Sequence, residues 1–343
     1  MNVSPTTILT TARAAFATLA VDIGGTTLKG AIFGLDGSVR HQKQVGTFAA
    51  GPDPLLALTA LIEELQGAAD EDGWTLLGIG LASPGVIDAD RGRVVYASNL
   101  GWNELALAEC LARRFSLPVR VEHDARAGAI AEIAARGDDS RYRDFVFVPI
   151  GTGVSAALVL DRRVIHGATW GAGEFGHMPV VASGESCSCG GFGCIEAYSS
   201  ATTVMKRYRA RGGIAANSTP ELVSLLPTDH VAERVWRDLV DALAVGLSSL
   251  CAVIDPARIV IGGGLSLAGD VLLKPLRAAM IERLPWRETP PLVQSGLGSH
   301  AGLIGAALRT LPFTEHSRQR FALTAADELR TAAHPRESSS TLP

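Results

Sequence analysis

The chain is 343 residues long, 47% hydrophobic and 19% charged, which is enough apolar material for one large or two ordinary globular domains. Lysine and arginine number 31 against 35 aspartates and glutamates, a net charge of −4, so no basic excess exists to engage a nucleic-acid backbone. No apolar run reaches the ~18–20 residues that cross a bilayer. Five cysteines, three of them between Cys187 and Cys194, are too few and too clustered for a secreted disulfide framework.

The first twenty residues lack a lysine-rich start and are interrupted by Arg13. They read as a short extension over residues 1–18 rather than a signal peptide, which predicts a cytoplasmic protein. From Leu19 a β-branched apolar run meets the turn Gly24-Gly25-Thr26, and a second run, AIFGL, leads into Asp36-Gly37. This is a hairpin pattern with a glycine-rich first turn. Residues 54–69 carry apolar positions at helical spacing behind Pro54, and residues 104–115 and 125–135 show the same period. From Phe145 the strand–Gly-Thr-Gly–strand pattern returns, which points to two related α/β halves. A long apolar helix is predicted over 235–253, then the strand RIVI, and a last helix over 301–311. The charged tail over 313–343 ends in PRESSSTLP and reads as flexible or loosely helical.

Three glycine loops carry the first chemical signal. In DIGGTTLKG, Asp22 stands at a strand end where it can hold magnesium-bound water, and Thr26 or Lys29 can donate to phosphate. Glycines let backbone N–H groups approach phosphate oxygens, although a plain hairpin turn has the same composition. Gly151-Thr152-Gly153 and Gly262-Gly263-Gly264 each follow an apolar strand. Neither GxxxxGK[ST] nor GxGxxG occurs. In this order the three loops resemble the phosphate-1, phosphate-2 and adenosine motifs of the actin, Hsp70 and sugar-kinase superfamily. The resemblance implies an α/β, two-domain actin-like ATPase (ribonuclease H-like) fold with a central nucleotide and sugar cleft holding ATP and Mg2+. The domains would be residues 19–122, completed by a helix over 301–312, and residues 123–300.

The stretch GEFGHMPVVASGESCSCGGFGCIEAYSS is the most unusual in the chain. His177, Cys187, Cys189 and Cys194 offer one imidazole and three thiolates, the four donors of a closed structural zinc site. A redox disulfide or unrelated buried thiols are the alternatives, and Cys110 and Cys251 sit in helical patterns as plain core residues. With DIGGT, SPG, GExGH and CxCGxxGCxE all present, the chain closely resembles the ROK family (repressors, open reading frames, kinases) over roughly Leu19 to Leu311. The resemblance implies structural Zn2+ on those four residues within a loop over 174–196. It also implies sugar contacts from Glu174, His177 and Glu196, although Glu196 reads equally well as a helix N-terminal charge.

Asp124 lies where a strand gives way to a helix, a position that also suits an N-cap. The family resemblance makes it the general base toward a sugar hydroxyl, a role open to a carboxylate ionised at neutral pH. Asn99 and Asn103 match the family's sugar-binding loops. His123 departs from the family's Asn-Asp pair, and GTGVSAA has less glycine than is usual in the second phosphate loop. The expected function is ATP-dependent phosphorylation of a hexose, glucokinase-like and at the 6-hydroxyl, by a homodimer or homotetramer. N-acetylhexosamine and a sugar-like cyclitol are the alternative acceptors. A sugar-sensing transcriptional regulator is the reading from another class, disfavoured by the short, weakly basic stretch before the first strand.

Overall fold

The computed structural model describes residues 16–311 and 313–333. The predicted extension lies outside them apart from its last three residues, as does the end of the tail. The described residues form two compact units: 16–127, 134–137 and 300–333 in the first, 128–133 and 138–299 in the second. The first unit's opening segment runs to residue 127, a few residues past the boundary expected between 122 and 123.

The first unit opens with β1 (Phe16–Ile23), β2 (Thr27–Gly34) and β3 (Val39–Gly46), consecutive antiparallel strands joined by the turns expected at Gly24-Gly25-Thr26 and Asp36-Gly37. Helix α1 (Pro54–Glu71) begins with Pro54 at its first position, while the Asp53 carboxylate accepts the Leu55 amide. Its Leu58, Leu61, Ile62 and Leu65 recur on one face and are buried against the sheet. That crossover delivers β4 (Thr75–Ser83) parallel to β1. A small antiparallel sheet follows, made of β5 (Val86–Asp88), β6 (Arg93–Ala97) and β7 (Trp102–Leu105). Helix α2 (Leu107–Phe115) then leads to β8 (Val119–His123) and α3 (Asp124–Arg136). The main sheet has five strands in the order β3-β2-β1-β4-β8.

One predicted helix start is corrected here. Residues 104 and 105 belong to β7, not to a helix: Glu104 has φ +50°, and Asn103 and Leu105 pair with Tyr96 and Val94. The left-handed residue turns the chain before α2 can begin.

The second unit repeats the plan. Strands β9 (Phe145–Pro149), β10 (Ala157–Leu160) and β11 (Arg163–Val164) are antiparallel, and β12 (Arg258–Gly262) and β13 (Leu292–Gln294) add in parallel. The resulting order, β11-β10-β9-β12-β13, matches the first sheet strand for strand, which is the duplication foreseen from the two glycine hairpins. Between the halves of this sheet run α4 (Glu196–Ser199), α5 (Ala201–Ala210), α6 (Thr219–Leu225) and α7 (His230–Ile254). Helix α8 (Asp270–Arg283) follows β12. Asp229 caps α7 by accepting the Val231 and Ala232 amides, and Leu239, Leu243 and Leu247 carry its buried face into the core.

The chain then returns to the first unit with α9 (Ala301–Leu308) and α10 (Glu315–Ala333). Helix α9 approaches its neighbours closely enough to require glycine. A Cβ on Gly80 of β4 would stand 2.0 Å from the Ala306 carbonyl oxygen, and one on Gly305 would stand 1.8 Å from that of Ala127. Of the two readings of the tail, flexible or loosely helical, residues 315–333 take the helical one, and the helix is packed. Phe321, Ala322, Ala325, Ala326 and Leu329 are buried, and the Phe321 ring lies 5.7 Å from that of Phe33. Burying these side chains supplies the apolar contact that a charged composition concealed. No helix among the described residues is long and apolar enough to cross a membrane.

Candidate functional site

In the first unit the site residues collect at the carboxyl ends of β1 and β8. Asp22 pairs in register with Lys29 across the β1–β2 turn. That turn is held by the Gly24 amide donating to the Thr27 carbonyl at 2.9 Å, and by the Thr47 hydroxyl donating to the Gly24 carbonyl at 2.6 Å. Glycine is needed at 24, where a Cβ would meet the Thr27 oxygen at 2.8 Å. Gly25 and Thr26 form the rest of the turn, with Thr26 exposed. The start of α9 adjoins the same carboxylate, since a Cβ on Gly302 would lie 3.3 Å from its oxygens.

Asp124 is the first residue of α3, and its Oδ1 accepts the amide of Ala125 at 2.5 Å. The helix cap is His123 rather than Asp124, and it provides no capping side chain. His123 is buried with its Nδ1 3.3 Å from Asp124 Oδ1. Burial, together with the charge of Asp124, pushes the Asp22 carboxyl up to about 6, while Lys29 pulls the other way. His300, just before α9, is held down at about 4 by burial and by the charges of Lys29 and Arg330. Two carboxylates that oppose each other's ionisation, with an ammonium alongside, form a strongly polarised patch able to take a proton and attract a cation. Asn99 and Asn103 fall elsewhere in the unit, both exposed, one in the turn after β6 and one on β7.

In the second unit the remaining residues converge more tightly than their spacing indicates. The loop Gly151-Thr152-Gly153 leaves β9 and closes with the Gly151 amide on the Gly153 carbonyl at 2.9 Å. Gly262, Gly263 and Gly264 lie directly behind it. The Ile150 amide donates to Gly262, the Leu265 amide donates to Ile150, and a Cβ on Gly263, at φ +71°, would collide with the Ile150 carbonyl at 2.4 Å. Two of the three phosphate-type loops are thus one packed substructure. Glu196 joins it, its Oε2 accepting the Val154 amide at 2.8 Å. Glu196 is the first residue of a four-residue helix, so the helix-terminus reading also describes it.

The cysteine loop ends two residues before Glu196. The donor atoms of His177, Cys187, Cys189 and Cys194 all lie within 4.8 Å of one another. Cys189 and Cys194 sulfurs are 3.8 Å apart, and Cys187 Sγ is 3.6 Å from His177 Nδ1. With metal–sulfur bonds of about 2.3 Å and metal–nitrogen bonds of about 2.05 Å, tetrahedral zinc requires edges of about 3.8 Å and 3.6 Å. The donors therefore fit such an ion. All five cysteines are free, and the sulfur separation is far beyond a disulfide bond, which removes the redox-bridge alternative in this state. Burial and the neighbouring thiols Cys187 and Cys189 push Cys194 up to about 12, while the Gly191 amide holds Cys189 below its ordinary value. The second ring nitrogen of His177 lies 3.9 Å from a Glu174 carboxylate oxygen, so the two residues of GEFGH expected to contact sugar are neighbours.

Two residues of the first-unit site escaped the sequence reading: Glu122 and Arg126, which flank Asp124 and are both fully buried. Glu122 lies at a strand end and Arg126 in the first turn of a helix, positions where charged residues ordinarily face solvent.

Comparison with known proteins accords with this geometry. The chain is 30% identical to a glucokinase of Streptomyces coelicolor, over 84% of this chain and 96% of that protein. It is 31% identical to a putative xylose repressor of a Caldicellulosiruptor species, over 67% of this chain and 60% of the repressor. The crystal structure of a ROK family glucokinase from Streptomyces griseus, in complex with glucose and AMPPNP, superposes with a TM-score of 0.73 at 29% identity, covering 85% of this chain and 98% of that one. The fold is accordingly that of the ROK sugar kinases, an actin-like ATPase fold. The ROK family model matches residues 18–311, and the chain belongs to the ROK family.

Proposed function

We propose that this protein is an ATP-dependent hexose kinase, with Asp124 as general base and the 6-hydroxyl of glucose as the leading acceptor. The observation that carries the reading is the nearness of Asp124 to Asp22, at the carboxyl ends of β8 and β1 on either side of β4 and beside Lys29, in a chain that also keeps the glycine loops of both halves. Asp124 accepts the hydroxyl proton as the sugar oxygen attacks the γ-phosphorus, and ADP leaves with the bridging oxygen's electrons. Lys29 and the backbone amides of residues 25–26 and 152–153 offer donors for phosphate oxygens. Asp22 is the residue to hold Mg2+ through water, and the ion would supply charge neutralisation to the phosphates. Asn99, Asn103, His123, Glu174, His177 and Glu196 are the residues proposed to recognise the sugar. Zinc on His177, Cys187, Cys189 and Cys194 would fix the loop that carries three of these contacts. His123 brings an imidazole where the family has an asparagine amide, which keeps N-acetylhexosamines and a cyclitol as competing acceptors.

A coupled ATP assay across a panel of hexoses, N-acetylhexosamines and cyclitols tests the function, and turnover of none of them would refute it. Similarity to repressors supports a second reading as a sugar-responsive regulator. Specific nanomolar binding to DNA, without turnover, would establish that reading instead. Family membership also supports a homodimer or homotetramer, measurable by light scattering.

A further inference from the structure

Glu122 and Arg126 form a buried ion pair in the first unit, exposed by 0% and 1%. Arg126 Nε donates to Glu122 Oε1 at 2.9 Å, and its Nη2 donates to the Ile87 carbonyl on β5 at 3.0 Å. The same Glu122 oxygen accepts the backbone amide of His123 at 2.9 Å. Arg309, one residue past α9, places its Nε 3.9 Å from Glu122 Oε2.

Stability does not account for such a pair. Two charges withdrawn from water carry a desolvation penalty that their attraction commonly fails to recover, and well-packed apolar residues of similar volume usually serve as well or better. What the pair does achieve is directional. It grips the chain on both sides of residue 124, two residues before and two after, and ties that junction to Ile87 on β5. A hydrophobic pair could fill the volume, but it would fix neither the His123 amide nor the Ile87 carbonyl. The junction between β8 and α3 is where the Asp124 carboxylate takes its direction, with its Oδ1 already bound to the first amide of the helix.

We propose that the Glu122–Arg126 pair is a positioning device that sets the direction of the Asp124 carboxylate toward the acceptor hydroxyl. The proposal rests on Asp124 acting as the base. Misplacing a reacting group by about 1 Å can lower turnover by about 10²-fold without touching the substrate.

Three variants test it: Arg126→Met, Arg126→Lys and the double variant Glu122→Met/Arg126→Met. Each is measured for thermal midpoint, kcat and sugar KM, in the wild-type and Asp124→Ala backgrounds. The double variant, which removes both buried charges but leaves the His123 amide and the Ile87 carbonyl without these partners, is expected to fold with a modestly lowered thermal midpoint and to lose about 10²-fold in kcat, with KM changed less than about threefold. Arg126→Lys, which keeps the charge but not the fork, should fall between. In the Asp124→Ala background the double variant should lower the residual turnover by less than about twofold, since nothing remains to be aimed. A double variant with wild-type kcat, or an equal loss in both backgrounds, overturns the proposal. Undiminished turnover in Asp124→Ala overturns the base assignment and this proposal with it. A slow Asp124→Ala beside a fast double variant overturns the proposal alone.

Discussion

Replacing Asp22 by asparagine should change the pH dependence of stability in a way the structure specifies. The carboxyl has an ordinary value of 3.8 and stands at about 6 in the folded protein, raised first by burial and then by Asp124. Between those values the folded state holds a proton that the unfolded chain has released. Wild type therefore loses stability as pH rises from about 4 to about 6, by at most roughly 3 kcal/mol at 1.36 kcal/mol per unit. Asparagine does not titrate, so the variant escapes this loss. His300 acts in the opposite sense, because its folded value is about 4 against an ordinary 6.5, and stability is gained as pH rises through the same window. In wild type the two contributions offset one another. In Asp22→Asn only the gain from His300 remains. Urea unfolding followed by far-UV circular dichroism, at steps from pH 4 to pH 8, measures both proteins. The stability of the variant relative to wild type should climb by roughly 3 kcal/mol and then level off above about pH 6.5. A difference that stays constant across the window would refute the placement of Asp22 against Asp124.

Asp124→Asn should lower kcat by about 10²–10⁴-fold with the fold intact, the range for a lost general base, and full turnover on the best sugar would end that assignment. Freshly purified protein should contain stoichiometric zinc by elemental analysis, and Cys194→Ser should lose it together with a fall in thermal midpoint. Zinc-free protein that melts normally would remove the metal reading. Phe321→Ala should destabilise the first unit by about 3–5 kcal/mol, the range for a fully buried aromatic, whereas a flexible tail would tolerate it.

The parts of the molecule that could be read from sequence are those where backbone geometry restricts residue choice. Glycine is required at 24 and 263 by carbonyl oxygens within 3 Å of a would-be Cβ, so the loops announce themselves in composition. The candidate metal donors His177, Cys187, Cys189 and Cys194 announce themselves too, since three thiols and an imidazole so close together suit a tetrahedral ion. The Glu122–Arg126 pair is hidden in sequence because a glutamate at a strand end and an arginine in a helix's first turn ordinarily mean solvent, and only tertiary packing puts both inside. Residues 104 and 105 were misread because an apolar period runs continuously through Leu105 and Leu107, while the left-handed turn at Glu104 leaves no mark in the pattern. Helix α10 had a legible stripe at Phe321, Ala325 and Leu329, four residues apart, but the flanking charge outweighed it. The convergence of Glu196 on Val154 spans 42 positions and belongs to the fold alone.

The C-terminal helix also governs how this molecule keeps to itself. Strand β3 is the outer strand of its sheet, and an outer strand offers unpaired amides on which another polypeptide can assemble. Here the Glu328 carboxylate of α10 takes the Val39 amide at 3.3 Å, at the point where β3 begins. The rest of the strand, Arg40-His41-Gln42-Lys43-Gln44, is polar or charged. A segment beyond the family match over residues 18–311 thus covers the strand end least protected by its own side chains, and shortening the chain there would bare the Val39 amide as a point where another strand could pair.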